Sequence, residues 1–359
     1  ASGGRMLKQW LNRPLTNKKR LNTRFDIVES FYEDSKILDE IRLCLKEVSD
    51  IERILGRINN HKVSPKEING LRFSLEQIPK MKTIFINSTK KPLNKFSKEF
   101  SNINTVLSEI TKVINKDAPS QIKQGKVIVD GFDTELDELR KLSKGGKEWI
   151  SHLQATEREK TGISSLKVGY NKVFGYFLEI TKTHNDKIPE DYIRKQTLVN
   201  AERYITPELK EYEVKILSAD EKIESIESRI FSKLCQNILR QANLLQKNAF
   251  TLSRCDVLST FSKVAIDNKY SRPVIKNNQI LEIKDGRHPV VEQLLPQTER
   301  FIPNDLYMDI NKNQIHLITG PNMAGKSTYL RQIGLIVLMA QVGSFVPATK
   351  LKFGLVDKL

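Results

Sequence analysis

A glycine-rich run near the carboxyl end of the chain has the residue types and spacing of a phosphate-binding loop. Residues 320–327 read GPNMAGKS, which fits the pattern G-x-x-x-x-G-K-[ST]. In such a loop, backbone N–H groups cradle phosphates, and the N-terminus of the following helix adds its positive dipole. The glycines permit close approaches that a Cβ would obstruct. The run therefore predicts a site for the phosphates of ATP.

Two side chains of this loop have predicted chemical roles. Lys326 is expected to neutralise the β- and γ-phosphates, which makes it a candidate catalytic residue, and Ser327 is expected to ligate Mg²⁺. The predicted cofactor-binding residues of the loop are Gly320, Pro321, Asn322, Met323, Ala324, Gly325, Lys326, Ser327 and Thr328.

The acidic residues needed for phosphoryl transfer are scarce after this loop. Hydrolysis requires a carboxylate that holds Mg²⁺ through water and a group that orients the attacking water. Asp357 is the only acidic residue after Ser327. We therefore expect the remaining strands and carboxylates of an ATPase domain to lie beyond Leu359, and this chain alone to hydrolyse ATP poorly or not at all.

The elements around the loop predict the opening of an α/β domain from about Arg272. Short strands are expected around Gln279 to Ile283 and Gln314 to Thr319, and an apolar helix from Tyr329 to Gln341. A strand before the loop and a helix after it are the context that a phosphate-binding loop requires.

Upstream, apolar periodicity predicts helices. From Met6 to about Asn115 the pattern is that of an all-helical domain, with polar and Pro-containing connections. A stricter heptad-like seam follows at Leu209, Tyr212, Ile216, Ala219, Ile223, Ile226 and Ile230. Thr206 and Pro207 supply its cap and first helical residue. A second seam is formed by Leu136, Leu139, Ser143, Gly146, Ile150 and Leu153.

These two seams predict antiparallel helical arms that carry the intervening segment at their tip. That segment is rich in β-branched and aromatic residues at 166–170 and 173–180, and Asn171-Lys172 is expected to form a hairpin turn. Tyr192 to Ile205 is expected to add a third strand. The sequence thus predicts a small β-rich unit at the end of a helical lever.

Composition indicates a polyanionic partner without proving one. The formal net charge is +16, which favours phosphate-bearing partners such as nucleic acid, although biased composition alone explains such a charge equally well. No apolar run is long enough to span a membrane, and the start lacks a signal peptide, so a cytoplasmic, nucleoid-associated location is expected. Cys44, Cys235 and Cys255 lack metal-site or disulfide spacing and are predicted to be buried and reduced.

Several blocks of the sequence resemble the bacterial MutS mismatch-repair family. Residues 318–327 read ITGPNMAGKS and are followed by TYLRQIGLIVLMAQVGSFVPA, which is similar to the ATPase core of that family almost residue for residue. Further similar blocks are RMLKQWLNRPL, DAPSQIKQGKVIVDGFDTELDELRKL, TGISSLKVGYNKVFGYF, RKQTLVNAERYITPELKEYE and DGRHPVVE. The resemblance therefore covers nearly the whole chain.

The resemblance implies a multidomain, mainly α fold. Its parts are a helical core with long antiparallel lever helices, a small β-rich clamp inserted at their tip, and the start of an α/β P-loop ATPase domain. The implied boundaries are 1–156 for the core and first lever helix, 157–205 for the DNA clamp, 206–270 for the returning lever helix and core, and 271–359 for the amino-terminal part of the ATPase domain.

The family also implies roles for individual residues. Phe301 occupies the place of an aromatic residue that stacks on adenine, with Ile302 beside it, and Asn322 matches a position that senses the terminal phosphate, which makes it a second candidate catalytic residue. In the clamp, the short polar and cationic residues expected to grip DNA phosphates are Asn171, Lys172, Arg194, Lys195, Gln196, Thr197 and Asn200. The family's mismatch-reading Phe and Glu have no counterpart in this chain.

One histidine invites a catalytic interpretation. His288 lies in the run GRHP at 286–289, but a structural hydrogen-bonding role at a strand-to-loop corner is favoured, because the nearest histidine, His316, stands on a predicted strand without metal-ligand spacing.

Three functions remain open from the sequence. The first is a homodimeric mismatch-repair ATPase that binds mismatched duplex DNA and recruits a MutL-type partner. The second is a MutS relative that binds branched DNA in recombination without reading mispairs. The third is an unrelated P-loop ATPase with a coiled-coil arm, which leaves the blocks outside the loop unexplained.

Overall fold

A computed structural model describes residues 2–171, 175–296, 298–322 and 324–358. Its helices are α1 (Ser2–Asn12), α2 (Lys18–Tyr32), α3 (Ser35–Lys46), α4 (Ile51–Asn59), α5 (Pro65–Asn87), α6 (Lys91–Ser97), α7 (Asn104–Val113), α8 (Thr134–Thr161), α9 (Pro207–Arg240), α10 (Ala242–Asn268), α11 (Val291–Leu294) and α12 (Lys326–Val342). Its strands are β1 (Lys167–Asn171), β2 (Gly175–Thr181), β3 (Ile193–Thr197), β4 (Ala201–Ile205), β5 (Val274–Ile275), β6 (Ile280–Gly286), β7 (Asn304–Asp309) and β8 (Lys350–Phe353). The mainly helical character with small sheets is therefore confirmed.

The chain divides into two compact units. The first unit contains Ala1–Lys62, Gly70–Leu107 and Leu239–Leu359, and the second contains Val63–Asn69 and Ser108–Ile238. No helix in the described part of the chain is long and apolar enough to cross a membrane.

The first unit is built on helices whose apolar faces meet around α10. Asn17, Asp34 and Asp50 cap α2, α3 and α4, because each side chain accepts a backbone N–H of the first turn. Aromatic rings form much of the core, as at Phe85, which packs 5.7 Å from Phe96 between ring centroids. The predicted helical region is thus confirmed through α7.

The second unit contains the two long helices α8 and α9, which run antiparallel. Trp149 of α8 stacks on Tyr212 of α9 with ring centroids 3.6 Å apart, and Ser143 donates a hydrogen bond to Asp220 at 2.6 Å. Gly146 permits the close approach, because a Cβ there would lie 2.5 Å from Ile216. As the residue number increases along α8, the number of its contact residue on α9 decreases, as in an antiparallel pair.

The start of α9 follows from its local sequence. Thr206 Oγ1 accepts the N–H of Leu209 at 3.1 Å, and the helix begins at Pro207, as the cap rules predict. Most seam residues of this helix are buried, although Tyr212 and Ile230 are only half-buried.

A four-stranded antiparallel sheet with the order β1-β2-β4-β3 lies between α8 and α9 in the chain. The prediction of a single strand from Tyr192 to Ile205 was wrong, because this stretch forms two strands joined by a tight turn. Leu198 N–H donates to the Ala201 carbonyl at 2.8 Å, which closes that turn. The buried core beneath the sheet contains Ile150, Leu153, Ile163, Leu166, Leu178, Ile180, Tyr192, Tyr204, Leu209 and Ile216.

A second small sheet, in the first unit, has the order β5-β8-β6-β7. The predicted strand around Gln279 to Ile283 is confirmed as β6, and α12 covers the predicted helix. The predicted strand from Gln314 to Thr319 was wrong: Ile315 and Leu317 are each 89% exposed, and the described residues offer that segment no pairing strand. A strand exists only when a neighbour satisfies its backbone N–H and C=O groups.

The cysteines are free, as expected, but only one of them is buried. Cys255 is fully enclosed, whereas Cys44 and Cys235 are half-buried. The prediction of three buried residues was therefore correct for Cys255 and wrong for Cys44 and Cys235.

Candidate functional site

The glycine-rich loop ends where α12 begins, and its backbone geometry leaves the helix start open. Gly325 is the N-cap of α12 with φ of 84°, and it provides no side-chain hydrogen bond to the helix. Gly320 at the start of the loop has φ of 151°. Since the first N–H groups of a helix have no intrahelical partner, those of α12 remain available to an anion.

Lys326 lies over this loop. Its Nζ donates hydrogen bonds to the carbonyl oxygens of Gly320 and Pro321, at 2.5 and 2.6 Å. The ammonium group is therefore held by two neutral acceptors on the loop side of the helix rather than by a carboxylate, so its charge remains free to attract an anion.

A cavity of about 650 Å³ opens beside the loop, and both Phe301 and Lys326 line it. Its lining residues are Val291, Leu295, Arg300, Phe301, Ile302, Asn304, Asp305, Ile318, Thr319, Ala324, Gly325, Lys326, Thr328 and Tyr329. Of the predicted cofactor residues, Gly320, Pro321, Asn322 and Ser327 are exposed and do not line it, and Met323 lies outside the described residues.

The structure adds residues that the sequence reasoning missed. Tyr329 and Asp305 line the same cavity, and the Tyr329 hydroxyl donates to the Asp305 carbonyl at 3.0 Å. Burial, with the nearby Asp305 charge, raises the pKa of Tyr329 above its usual value. Arg300 places a cation next to Phe301. Tyr329 was detectable, since it lies three residues after Lys326 and hence on the same face of α12.

The Asp305 carboxylate has hydrogen-bond partners of its own. Its carboxylate accepts hydrogen bonds from Lys284 Nζ and from the Asp285 N–H, each at 2.8 Å. These two bonds hold the pKa of Asp305 below its usual range, and the bond from Lys284 has the larger effect. Asp305 is therefore a charged residue of the cavity wall that is already paired.

These residues fit a nucleotide better than they fit a metal ion alone. The open helix start and Lys326 suit phosphates, and a half-buried aromatic ring at Phe301 suits a base. Ser327 is an exposed hydroxyl that could provide one Mg²⁺ ligand. In the part of the chain that the structure describes, no group of three or more His, Cys, Asp or Glu residues could hold a metal.

The predicted DNA-binding residues fall into two places. Arg194 to Thr197 lie on β3, an edge strand with mostly exposed side chains, and Asn200 lies in the turn that follows. Arg194 is 63% exposed despite an ion pair with Glu202 at 3.4 Å. Glu202 itself is buried, but the contact is long and the guanidinium is mostly exposed, so it remains accessible to a phosphate.

Gln196 also has a structural partner within the sheet. Its Oε1 accepts a hydrogen bond from Arg203 Nη1 at 2.9 Å, and Arg203 also lies 4.2 Å from the ring centroid of Phe177. Gln196 is therefore half-buried and helps to hold β3 against β4.

Asn171 lies at the other end of this sheet. It pairs with Gly175, whereas Thr197 is level with Ile180 through Glu202. At about 3.3 Å per residue the two ends are roughly 17 Å apart along the strands. The hairpin residue Lys172 lies outside the described residues. The structure thus separates Asn171 from the β3 group.

A missed lysine joins the β3 end. Lys182 N–H donates to the Asn200 carbonyl at 3.2 Å, which brings an exposed cation beside the turn after β3. Its place was not visible in sequence, because Lys182 and Asn200 meet only through the strand pairing of β2 with β4.

His288 has the structural role that was favoured. It is 7% exposed, and its Nδ1 accepts the N–H groups of Val290 and Val291 at 3.3 and 3.2 Å. A ring nitrogen occupied in this way caps a turn and is unavailable as a base. His316 is exposed and lies on the segment that does not form a strand.

Comparisons with known proteins give family matches in two parts of the chain. A family model for MutS domain III matches residues 1–262, and one for MutS domain V matches residues 316–359. A protein of Salinibacter ruber, described as DNA mismatch repair protein MutS, is 44% identical over 357 residues, which cover 99% of this chain and 39% of the relative. Proteins of Acetivibrio thermocellus and Bacteroides fragilis with the same description are 46% and 45% identical, and 41% of each is covered.

The chain therefore spans about two fifths of the length of these curated relatives.

Proposed function

The chain belongs to the MutS family of DNA mismatch repair proteins, and on that premise we propose that it forms the DNA-holding and nucleotide-binding middle of such a protein. In this proposal the whole protein closes on mismatched duplex DNA, and ATP binding and hydrolysis convert it to a sliding state that recruits the next repair protein.

One observation carries the nucleotide part of the proposal. One cavity at the start of α12 is lined by both Phe301 and Lys326, although β7 and the glycine-rich loop separate them in the chain. An aromatic ring for the base and an ammonium for the phosphates are the two recognition groups that a nucleotide requires.

The residues divide the work as follows. Lys326 holds the β- and γ-phosphates, the N–H groups of the first turn of α12 hold their oxygens, and Phe301 with Ile302 contacts the base. Ser327 provides a ligand for Mg²⁺, and Asn322 contacts the terminal phosphate. These residues bind and orient MgATP, whose hydrolysis would change the state of the protein.

The DNA part rests on the second unit. In the proposal α8 and α9 are the lever helices, and the β1-β2-β4-β3 sheet is the clamp. The exposed edge strand β3 grips phosphates through Arg194 and Lys195, with Thr197, Asn200 and Lys182 beside them. Such contacts position a duplex without reading its sequence, which suits a protein that must scan every base pair.

Partners of the whole protein complete the proposal. We expect a homodimer, double-stranded DNA with a mispair as the ligand, and a MutL-type protein as the downstream partner. All three rest on membership of the family rather than on contacts within this chain.

The proposal is tested with the whole protein that contains this chain. Its binding to a duplex with one mispair is compared with its binding to the matched duplex at a stated salt concentration, with and without ATP. Preference for the mispair, with release into sliding on ATP addition, is the expected result. Equal binding to both duplexes, together with preference for branched DNA, would assign the protein to the recombination relatives and overturn the mismatch part.

A further inference from the structure

A small cavity in the first unit is surrounded by positive charge. It has a volume of about 240 Å³, and its lining includes Arg20, Arg24 and Arg254 together with the rings of Trp10 and Phe250. No acidic residue is among the side chains that line it. Three guanidinium groups and two aromatic rings thus enclose a space that is large enough for a compact ligand.

Arg24 is the most unusual of these cations because it is buried without a counter-charge. It is 8% exposed, its guanidinium lies 3.3 Å from the ring centroid of Trp10, and no carboxylate in the described part of the chain pairs with it. Burial, followed by the charges of Arg254 and Arg20, lowers the pKa of Arg24 to about 9. It remains protonated at neutral pH, and its charged neighbours are both cations.

The position of Arg24 is fixed by the end of α12. Its Nη1 donates to the Val342 carbonyl at 2.5 Å, and Gly343, with φ of 96°, leaves room for its stem. A Cβ on Gly343 would lie 2.6 Å from Arg24 Cδ. The helix end supplies only a partial negative charge, so it does not neutralise the guanidinium.

The other two arginines differ in how far they are compensated. Arg254 is hydrogen-bonded to the carboxylate of Glu99 and is largely neutralised. Arg20 is exposed, lies four residues before Arg24 on the same face of α2, and pairs with no carboxylate among the described residues. The cavity therefore has two uncompensated positive charges, one at its mouth and one inside.

We propose that this cavity binds a phosphate-class oxyanion between Arg20 and Arg24. Guanidinium groups present paired N–H donors that match the oxygens of a phosphate, and a bound anion removes the cost of burying an unpaired cation. The Trp10 and Phe250 rings restrict the space to a compact anion. The source is either free phosphate or the terminal phosphate of a nucleic acid, and the site is independent of the nucleotide cavity at Lys326.

Trp10 provides a direct reporter for the test. The sequence has two tryptophans, so Trp149→Phe leaves Trp10 as the only one. The glycine-rich loop lies at the opposite end of α12, which has 17 residues, or roughly 25 Å at about 1.5 Å per residue. Phosphate bound at the loop should therefore leave Trp10 emission unchanged.

The Trp149→Phe chain is titrated with inorganic phosphate and, separately, with sodium chloride at matched ionic strength. A saturable change in Trp10 emission with phosphate alone is expected. Arg20→Gln should weaken it about tenfold, because one charge-assisted contact is lost. Lys19→Gln, on an exposed neighbour that does not line the cavity, and Lys326→Met should leave the midpoint within twofold.

The opposite pattern overturns the proposal. No saturable change, an unchanged midpoint in Arg20→Gln, or loss of the change in Lys326→Met would each do so. If Trp149→Phe does not fold, calorimetric titration of Lys326→Met with and without Arg20→Gln gives the same comparison. A 5′-phosphorylated dinucleotide and its 5′-hydroxyl counterpart distinguish the two sources of the anion. Tighter binding of the phosphorylated form identifies a nucleic-acid end. If both dinucleotides bind equally and more weakly than inorganic phosphate, the ligand is the free anion.

Discussion

Replacement of Glu227 by alanine should strongly destabilise the second unit. This carboxylate is fully buried on α9. Its Oε1 accepts the N–H groups of Val127 and Ile128 at 3.0 and 3.4 Å and pairs with Arg140 Nη2 at 2.5 Å. One side chain thus joins α9 to α8 and to the segment between α7 and α8, and its removal takes away the acceptor of the Val127 and Ile128 N–H groups.

The magnitude follows from what Glu227→Ala leaves behind. Breaking a buried ion pair by removing one partner costs about 3–5 kcal/mol. The lower part of that range applies, because Arg140 is 17% exposed and keeps Asp130 and the Ile128 carbonyl as acceptors. We therefore expect a loss of about 3 kcal/mol for Glu227→Ala. Glu227→Gln keeps an acceptor oxygen and should cost about 1–2 kcal/mol.

The assay is urea unfolding followed by the emission of Trp149, which stacks on Tyr212 in the second unit. A Trp10→Phe background removes the signal of the first unit. Glu227→Ala should lower the midpoint at an unchanged slope. Glu224→Ala is the matched control, because Glu224 lies one turn earlier with a 43% exposed side chain, and it should change stability by less than about 0.5 kcal/mol.

Two results would refute this reasoning. The first is a Glu227→Ala chain within about 1 kcal/mol of the parent, which shows that the buried carboxylate is not a structural tie. The second is strict additivity with Arg140→Ala, because residues in direct contact should show a coupling of about 1–3 kcal/mol.

Phe301→Leu should weaken ATP and GTP binding alike, by about threefold to tenfold in calorimetry, since stacking is tolerant of the base; a loss confined to ATP would contradict stacking. Lys195→Glu should weaken duplex binding and flatten its salt dependence, whereas Lys233→Glu, an exposed lysine of α9, should have little effect; equal effects would remove β3 from the interface. Gly343→Ala should cost about 2 kcal/mol in denaturant unfolding through its positive φ and the Arg24 clash, while Gly56→Ala, with open space around it in α4, should stabilise by about 0.5–1 kcal/mol; the reverse order would contradict the Arg24 packing.

Local rules predicted the elements that depend only on local sequence. The Thr206 cap and the start of α9 at Pro207 need nothing beyond their neighbours in the chain. The glycine-rich loop is likewise a short pattern, and the helix predicted after it from Tyr329 is present as α12, which begins three residues earlier at Lys326.

Features that depend on distant partners were not predictable. The segment 315–318 has the composition of a strand, yet a strand requires a hydrogen-bonded neighbour. Glu227 looks like a surface residue of a helix, and its burial depends on Arg140, which is far away in the chain. Arg24 is similar, since the space it occupies is created by Gly343. In each case the deciding contact lies outside the sequence window in which a pattern can be read.

The site shows the same division. The loop was identified from its own residues, and Phe301 only through family resemblance, whereas Tyr329 and Asp305 appear in the cavity wall because β7 and α12 meet there. Edge strand β3 was predicted only as part of one longer strand, because its polar side chains give a weak strand pattern.

The most direct test of the nucleotide site is calorimetric binding of a slowly hydrolysed ATP analogue with Mg²⁺ to this chain. Saturable binding at one site is predicted, with a loss of about a hundredfold in Lys326→Ala, because charge-assisted contacts to two phosphates disappear. Lys312→Ala, an exposed lysine outside the cavity, should bind as the parent does. Equal affinity of the parent and Lys326→Ala would contradict the assignment of the loop at 320–328 as the ATP site.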